Sequence, residues 1–222
     1  MSRLSWRPLA AVVGALVALV TPVTTSVPAQ AVTASKGVVS NWGTDGSVYA
    51  VLPVGDRVYV GGKFANVIDA TGVSHPASNV AVFLSSQGVF DLSFAAATDN
   101  VVTSLAVSGT QLFLGGDFTT VDGVARARLA SVDAATGAVN TAFKANINKI
   151  VDAVQISGGK LYAGGYFGTV GNGTTSTARK YLARLDPVTG AVDNWSPSVD
   201  GRVRSLSPSP DGAKMYLAGD FQ

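Results

Sequence analysis

From Trp42 onward the chain alternates short apolar runs with glycine-containing turns, the pattern of strands joined by tight connections. Four of these runs end in the same way. Val58-Tyr59-Val60 leads into Gly61-Gly62-Lys63-Phe64, and Leu112-Phe113-Leu114 into Gly115-Gly116-Asp117-Phe118. Leu161-Tyr162-Ala163 leads into Gly164-Gly165-Tyr166-Phe167, and Met215-Tyr216-Leu217 into Ala218-Gly219-Asp220-Phe221. The phenylalanines lie 54, 49 and 54 residues apart, and the first three are followed at the third position by Val67, Val121 and Val170.

An aromatic stands upstream in each period: Trp42, Phe94, Phe143 and Trp195. Between it and the glycines runs another strand, such as Val102–Val107 or Val151–Ile156, closed by a glycine turn. The pair reads as a hairpin. After the motif come Leu129–Val132 and Leu182–Leu185, each followed by an Asp-x-x-Thr-Gly turn, Asp133–Gly137 and Asp186–Gly190. The first unit keeps only Gly88 of that turn. The aspartates suit the turn because a carboxylate can accept from backbone amides two residues on.

Each period thus predicts four antiparallel strands: A before the glycines, B through them, C before the turn and D into the aromatic. The expected fold is an all-β propeller of four-stranded blades. Its units run about 44–96, 97–147, 148–201 and an incomplete 202–222, or three and a half blades of a ring. The repeated glycines (Gly61, Gly62, Gly115, Gly116, Gly164, Gly165, Gly219) and phenylalanines (Phe64, Phe118, Phe167, Phe221) are expected to pack blade on blade. Val38–Trp42 aligns with the end of a strand D and is expected to start a ring-closing strand, with further blades or domains beyond Gln222.

The N-terminus has a different pattern. Arg3 and Arg7 precede an apolar stretch from Leu9 to Val20 and a polar region ending Ala29-Gln30-Ala31, the layout of a cleaved secretory signal peptide. Residues 1–31 are therefore expected to be a signal peptide helix, cut after Ala31 or, second, after Ala34, with 32–40 as a linker. The apolar stretch is shorter than the ~20 residues of a membrane span, so the mature part is expected outside the cytoplasm without one.

Composition narrows the chemistry. All fourteen acids are aspartates, which removes glutamate as a helix former, and cysteine is absent, which removes disulfides, thiolate nucleophiles and cysteine metal sites. The net charge is +2, but without Arg3 and Arg7 acids and bases balance, so no nucleic acid or anionic membrane is expected as partner.

The units resemble the delta-60 repeat proteins on their Gly-Gly-x-Phe core and Asp-x-x-Thr-Gly turn, over roughly residues 44–222. They are also similar to the repeats of the Rax2-like cortical polarity markers. That resemblance implies an exported propeller and no particular catalytic activity. Asp186–Trp195 is similar to the tryptophan-docking repeats of quinoprotein dehydrogenases, though only one unit has the tryptophan.

No catalytic, metal or cofactor residue is assigned. His75 has no evident triad or zinc partners, and Asp117 and Asp220 read as solvated strand positions. The B-to-C connections vary most in length: 13 residues from Val67 to Val80, 8 from Val121 to Leu129 and 12 from Val170 to Leu182. In such a blade they emerge on the same side as the D-to-A connections, which makes that side the candidate binding face. Its residues are His75, Arg126, Asn172, Thr174 and Arg179, with Asp99, Asn148, Lys149 and Arg202 from the D-to-A turns. The expectation is a non-enzymatic secreted or cell-surface module that binds a glycan or a protein. The alternatives are the front part of a quinoprotein-like enzyme and a structural polarity-marking protein.

Overall fold

The computed structural model describes residues 42–222; the expected leader, its cleavage sites and the expected closing strand up to Asn41 lie outside the described residues. Within them the chain is all-β, and every strand pairing is antiparallel.

The first unit holds β1 (Gly43–Thr44), β2 (Ser47–Val54), β3 (Arg57–Lys63), β4 (Asn66–Ile68), β5 (Ser74–Pro76), β6 (Val80–Leu84) and β7 (Val89–Phe90). The second holds β8 (Val102–Ser108), β9 (Gln111–Gly116), β10 (Thr120–Val121), β11 (Val124–Ala125) and β12 (Leu129–Asp133). The third holds β13 (Asn146–Ile147), β14 (Val151–Ser157), β15 (Lys160–Gly165), β16 (Thr169–Gly171), β17 (Ser176–Ala178) and β18 (Leu182–Leu185), and the fourth β19 (Val203–Pro208) and β20 (Met215–Gly219).

Four strands form a full sheet only in the first unit, in the order β2-β3-β6-β7. In the second and third, strand D shrinks to a single bridge, Val132 with Val139 and Leu185 with Val192. A side-chain turn cuts it short. The Asn140 amide oxygen accepts the Ala142 N–H and the Asp193 carboxylate accepts the Trp195 N–H, bending the chain out of the ladder. Asp91 does the same to Ser93 ahead of Phe94. Each bend delivers the upstream aromatic to strand B of its own unit: Phe94 edge-on to Tyr59, Phe143 to Phe113 and Trp195 to Tyr162.

Successive sheets meet through their first strands, β2 with β8, β8 with β14 and β14 with β19. The glycine motif is fitted to that contact. A Cβ on Gly61 would lie 2.8 Å from Val102, on Gly115 2.8 Å from Val154, and on Gly164 2.6 Å from Val203, all on the following sheet. The second glycine faces its own sheet. A Cβ on Gly62, Gly116, Gly165 or Gly219 would stand 2.0–2.2 Å from the carbonyl oxygens of Ser47, Val101, Ile150 and Arg202 respectively. Phe64, Phe118 and Phe167 are buried beside Val67, Val121 and Val170, each burial contributing about 2–3 kcal/mol for the aromatic.

The Asp-x-x-Thr-Gly turn also joins units. The Asp133 Oδ1 accepts from the amides of Ala135 and Thr136 and from the Thr136 hydroxyl; Asp186 repeats this with Val188 and Thr189. Thr136 O then accepts from Ala95 N–H (2.9 Å) and Thr189 O from Lys144 N–H (2.8 Å), each in the segment that leaves the preceding unit. In the first unit, where Leu84 replaces the aspartate, Asp56 reaches across from the A-to-B turn and accepts the Ser86 N–H at 2.6 Å.

Candidate functional site

The variable B-to-C connections are hairpins. β4 pairs with β5 and, on its other edge, with β1 from the D-to-A segment; β16 pairs in the same way with β17 and β13, and β10–β11 is bridged through Val121 to Thr98. Each of the first three units thus carries a second small sheet built from the two connections that emerge on one side. The buried motif valines are its inner residues, with Val67 opposite His75 and Val170 opposite Thr177. Length variation is confined to the hairpin tips. Asp122-Gly123, both at positive φ, makes the shortest possible one, while Asp69 and Asn172 cap longer loops with their side-chain oxygens.

Most of the nine candidate residues on this side are bound into the frame. Asp99 Oδ1 accepts from the amides of Thr119 and Thr120, and Asn148 Oδ1 from those of Gly168 and Thr169; Asp45 does the same in the first unit. These in-phase residues staple the D-to-A segment to the start of the hairpin. Burial alone would raise the Asp99 carboxyl, but the Thr119 hydroxyl and the two amides hold it below the usual range. Arg126 and Arg179 correspond: each donates to the carbonyl of the preceding alanine and to strand D, at Asn140 O and Asp193 O. His75 packs on Trp42 (centroids 5.4 Å) with its Nε2 3.1 Å from Asp69. Lys149 lies over the Tyr166 ring, and Arg202 makes a two-pronged pair with Asp152 at 2.6 and 2.7 Å.

Only part of the set converges. Asn148 and the exposed Thr174 line a groove of about 320 Å³ where the second unit meets the small sheet of the third, together with Arg128, Asn146 and Ser176. Asp117 and Asp220 keep exposed side chains, as expected, and are in addition ion-paired, Asp117 with Arg128 (3.4 Å) and Asp220 with Arg204 (2.7 Å). Arg128 is one of three matching residues, with Asn79 and Tyr181, that take positive φ just before strand C. In the third unit Tyr181 instead stacks on Tyr166. Both pairings join the variable motif position to the residue before strand C.

A second feature on this side has no counterpart among the candidates. Every A strand carries one extra residue opposite the glycine motif, Gly-Gly in the first three units and Ala218-Gly219 in the fourth: Tyr49 between Val48 and Ala50, Thr103 between Val102 and Ser104, Asp152 between Val151 and Ala153, and Arg204 between Val203 and Ser205. Such bulges re-aim a side chain. All four line one open cavity of about 340 Å³ bordered by β2, β8, β14 and β19. The bulges lie near the starts of the A strands, so this end of the cavity opens beside the hairpins. The sequence signal was a slip of alternation, an apolar pair three apart inside a strand: Val48/Val51, Val102/Leu105, Val151/Val154 and Val203/Leu206.

Among the described residues no cluster of three or more metal-ligating acids or histidines is present. No helix among them is long and apolar enough to cross a membrane. The chain is similar in structure to a computationally designed protein, Ika4, over 80% of this chain and 94% of that one, with a TM-score of 0.51 at 15% identity. The likeness concerns the fold alone. No protein-family model matches the chain, and no curated protein does.

Proposed function

We propose that the chain is a non-catalytic binding module of an exported protein, built of β-propeller blades, that takes a glycan or protein partner on its hairpin side. Its units are read as delta-60 type repeats. The observation that carries this reading is the pairing of each B-to-C hairpin with its D-to-A segment, which collects the length variation of the repeats on one side of a regular frame. The stacking of A strands around one cavity supports the propeller arrangement. The leader-like N-terminus supports export.

The test is a binding screen of the full chain against cell-surface glycans and isolated cell-surface proteins, followed by substitutions on the two sides. Thr174→Lys, Val124→Lys or Tyr49→Ala on the hairpin side is expected to weaken the identified partner with the thermal midpoint unchanged. Thr110→Lys and Lys160→Glu in the A-to-B turns are expected to leave binding intact. Loss of binding only from the A-to-B turns would overturn the assignment of the face.

A further inference from the structure

The four bulged residues differ in chemistry while the backbone around them repeats. A glycine pair stands opposite the first three and Ala218-Gly219 opposite Arg204, and beside the last three an apolar pair packs on the preceding sheet, whereas Val48 and Val51 are exposed. The side chains are a phenol, a hydroxyl, a carboxylate and a guanidinium, gathered at one cavity. A frame that repeats a bulge in every unit to turn one side chain into a shared space, and varies that side chain from unit to unit, has the form of a binding site.

We infer that the mouth of this cavity is a site for a neutral, polyhydroxylated ligand, a segment of glycan, held by Tyr49, Asp152 and Arg204. The inference rests on the reading of the chain as a binding module and names the ligand class and the residues. Charge accounting selects the class. Asp152 is already met by two guanidinium N–H groups of Arg202, and Arg204 is met in the same way by Asp220 at 2.7 and 2.8 Å. The Asp152 hydrogen bonds raise the pKa of the Arg202 guanidinium, and the Asp220 hydrogen bonds raise that of Arg204. The two arginines and two aspartates cancel in charge, so a charged ligand gains no net attraction there. A hydroxyl still finds partners, because each paired carboxylate keeps free lone pairs and Arg204 keeps free N–H donors.

Tyr49 supplies the apolar part. It is 58% exposed at the rim of an otherwise polar cavity, and among the described residues its side chain forms no hydrogen bond, so its ring is available to the C–H face of a pyranose, which meets the negative face of an aromatic favourably. Gln155 and Ser205 line the same space and add neutral donors and acceptors. Thr103 is committed to the frame, its hydroxyl donating to the Val151 carbonyl at 2.6 Å, and the ligand is not assigned to it.

The experiment titrates the full chain against soluble neutral oligosaccharides of glucose, mannose, galactose and N-acetylglucosamine, with sulfated and uronic-acid oligosaccharides as charged arms. A neutral sugar is expected to bind with an affinity that does not change between low and high salt. Tyr49→Ala is expected to weaken it on the order of tenfold or more, the equivalent of about 1.4 kcal/mol, while Tyr49→Phe retains it. Thr110→Lys in the A-to-B turn is expected to leave it unchanged, and thermal midpoints report that each variant is folded. Binding of charged oligosaccharides alone, collapsing with salt, would overturn the ligand class. Sugar binding lost by Thr174→Lys and kept by Tyr49→Ala would overturn the site and leave the broader reading of the hairpin side standing. Absence of binding to every neutral sugar would overturn the inference, while a protein partner on the hairpin side would still satisfy the broader reading.

Discussion

Gly115 and Ala218 hold the same place in the repeat, at the end of strand B ahead of the same turn into a phenylalanine, but under different cover. Over Gly115 lie Val151 and Val154 of the next sheet, leaving no room for a methyl group. Ala218 is exposed, and no further sheet among the described residues lies on it. Gly116 and Gly219, one residue on, show no such difference, because both face a carbonyl of their own sheet at the bulge, Val101 O and Arg202 O. The comparison separates two causes inside one motif. The first glycine answers to the neighbouring sheet and the second to the bulge.

Substitutions can break that separation. The largest effect is expected at the second glycine, where the obstacle is backbone: Gly116→Ala and Gly219→Ala should each destabilise their sheet, Gly116→Ala by about 3 kcal/mol or more in denaturant unfolding. Gly115→Ala should cost less, about 1–3 kcal/mol, since Val151 and Val154 can give way in part. Ala218→Gly should move stability by no more than about 1 kcal/mol, and downward, because without a covering sheet glycine gains no fit and loses chain stiffness. Equal effects at Gly115 and Ala218 would show that the neighbouring sheet does not set the first glycine.

Smaller still is the effect of the turn carboxylates. The Thr136 amide holds Asp133 below the usual carboxylate range, as the Thr189 amide does for Asp186 and the Asn66 amide for Asp45. A lowered folded pKa means stability that is fully present above the unfolded value of about 3.9 and is lost as pH falls through the lowered folded value. Melting temperature is therefore expected to be insensitive to these groups from neutral pH down to about 4 and to fall below it. Asp133→Asn, which keeps one acceptor oxygen, should flatten part of that acid limb.

The repeat was legible in the sequence because its markers are backbone requirements: glycines with no room for a Cβ, and aspartates that cap a turn whatever lies beside it. The hairpin side was harder to read. Asp99 and Asn148 look like free polar residues until their amide partners, twenty residues away, are placed against them. The ion pair of Asp117 is hidden in the sequence because Arg128 meets it only through a positive φ before strand C. Leu84 reads as a broken turn because its missing acid comes from Asp56, in a different turn of the same unit. Tyr49, Thr103, Asp152 and Arg204 are invisible as a set until strand pairing exposes the extra residue in each A strand.

The central claim is that the four A strands converge on one cavity, and a distance measurement tests it directly. The chain has no cysteine, so Tyr49→Cys with Arg204→Cys places spin labels at exposed bulges of the first and last sheets without background. Four sheets in a straight stack at about 10 Å spacing would hold those positions about 30 Å apart. The account predicts a single narrow distribution well short of that, with both labels at the mouth of the same cavity. A distribution centred at or beyond the straight-stack distance would contradict it.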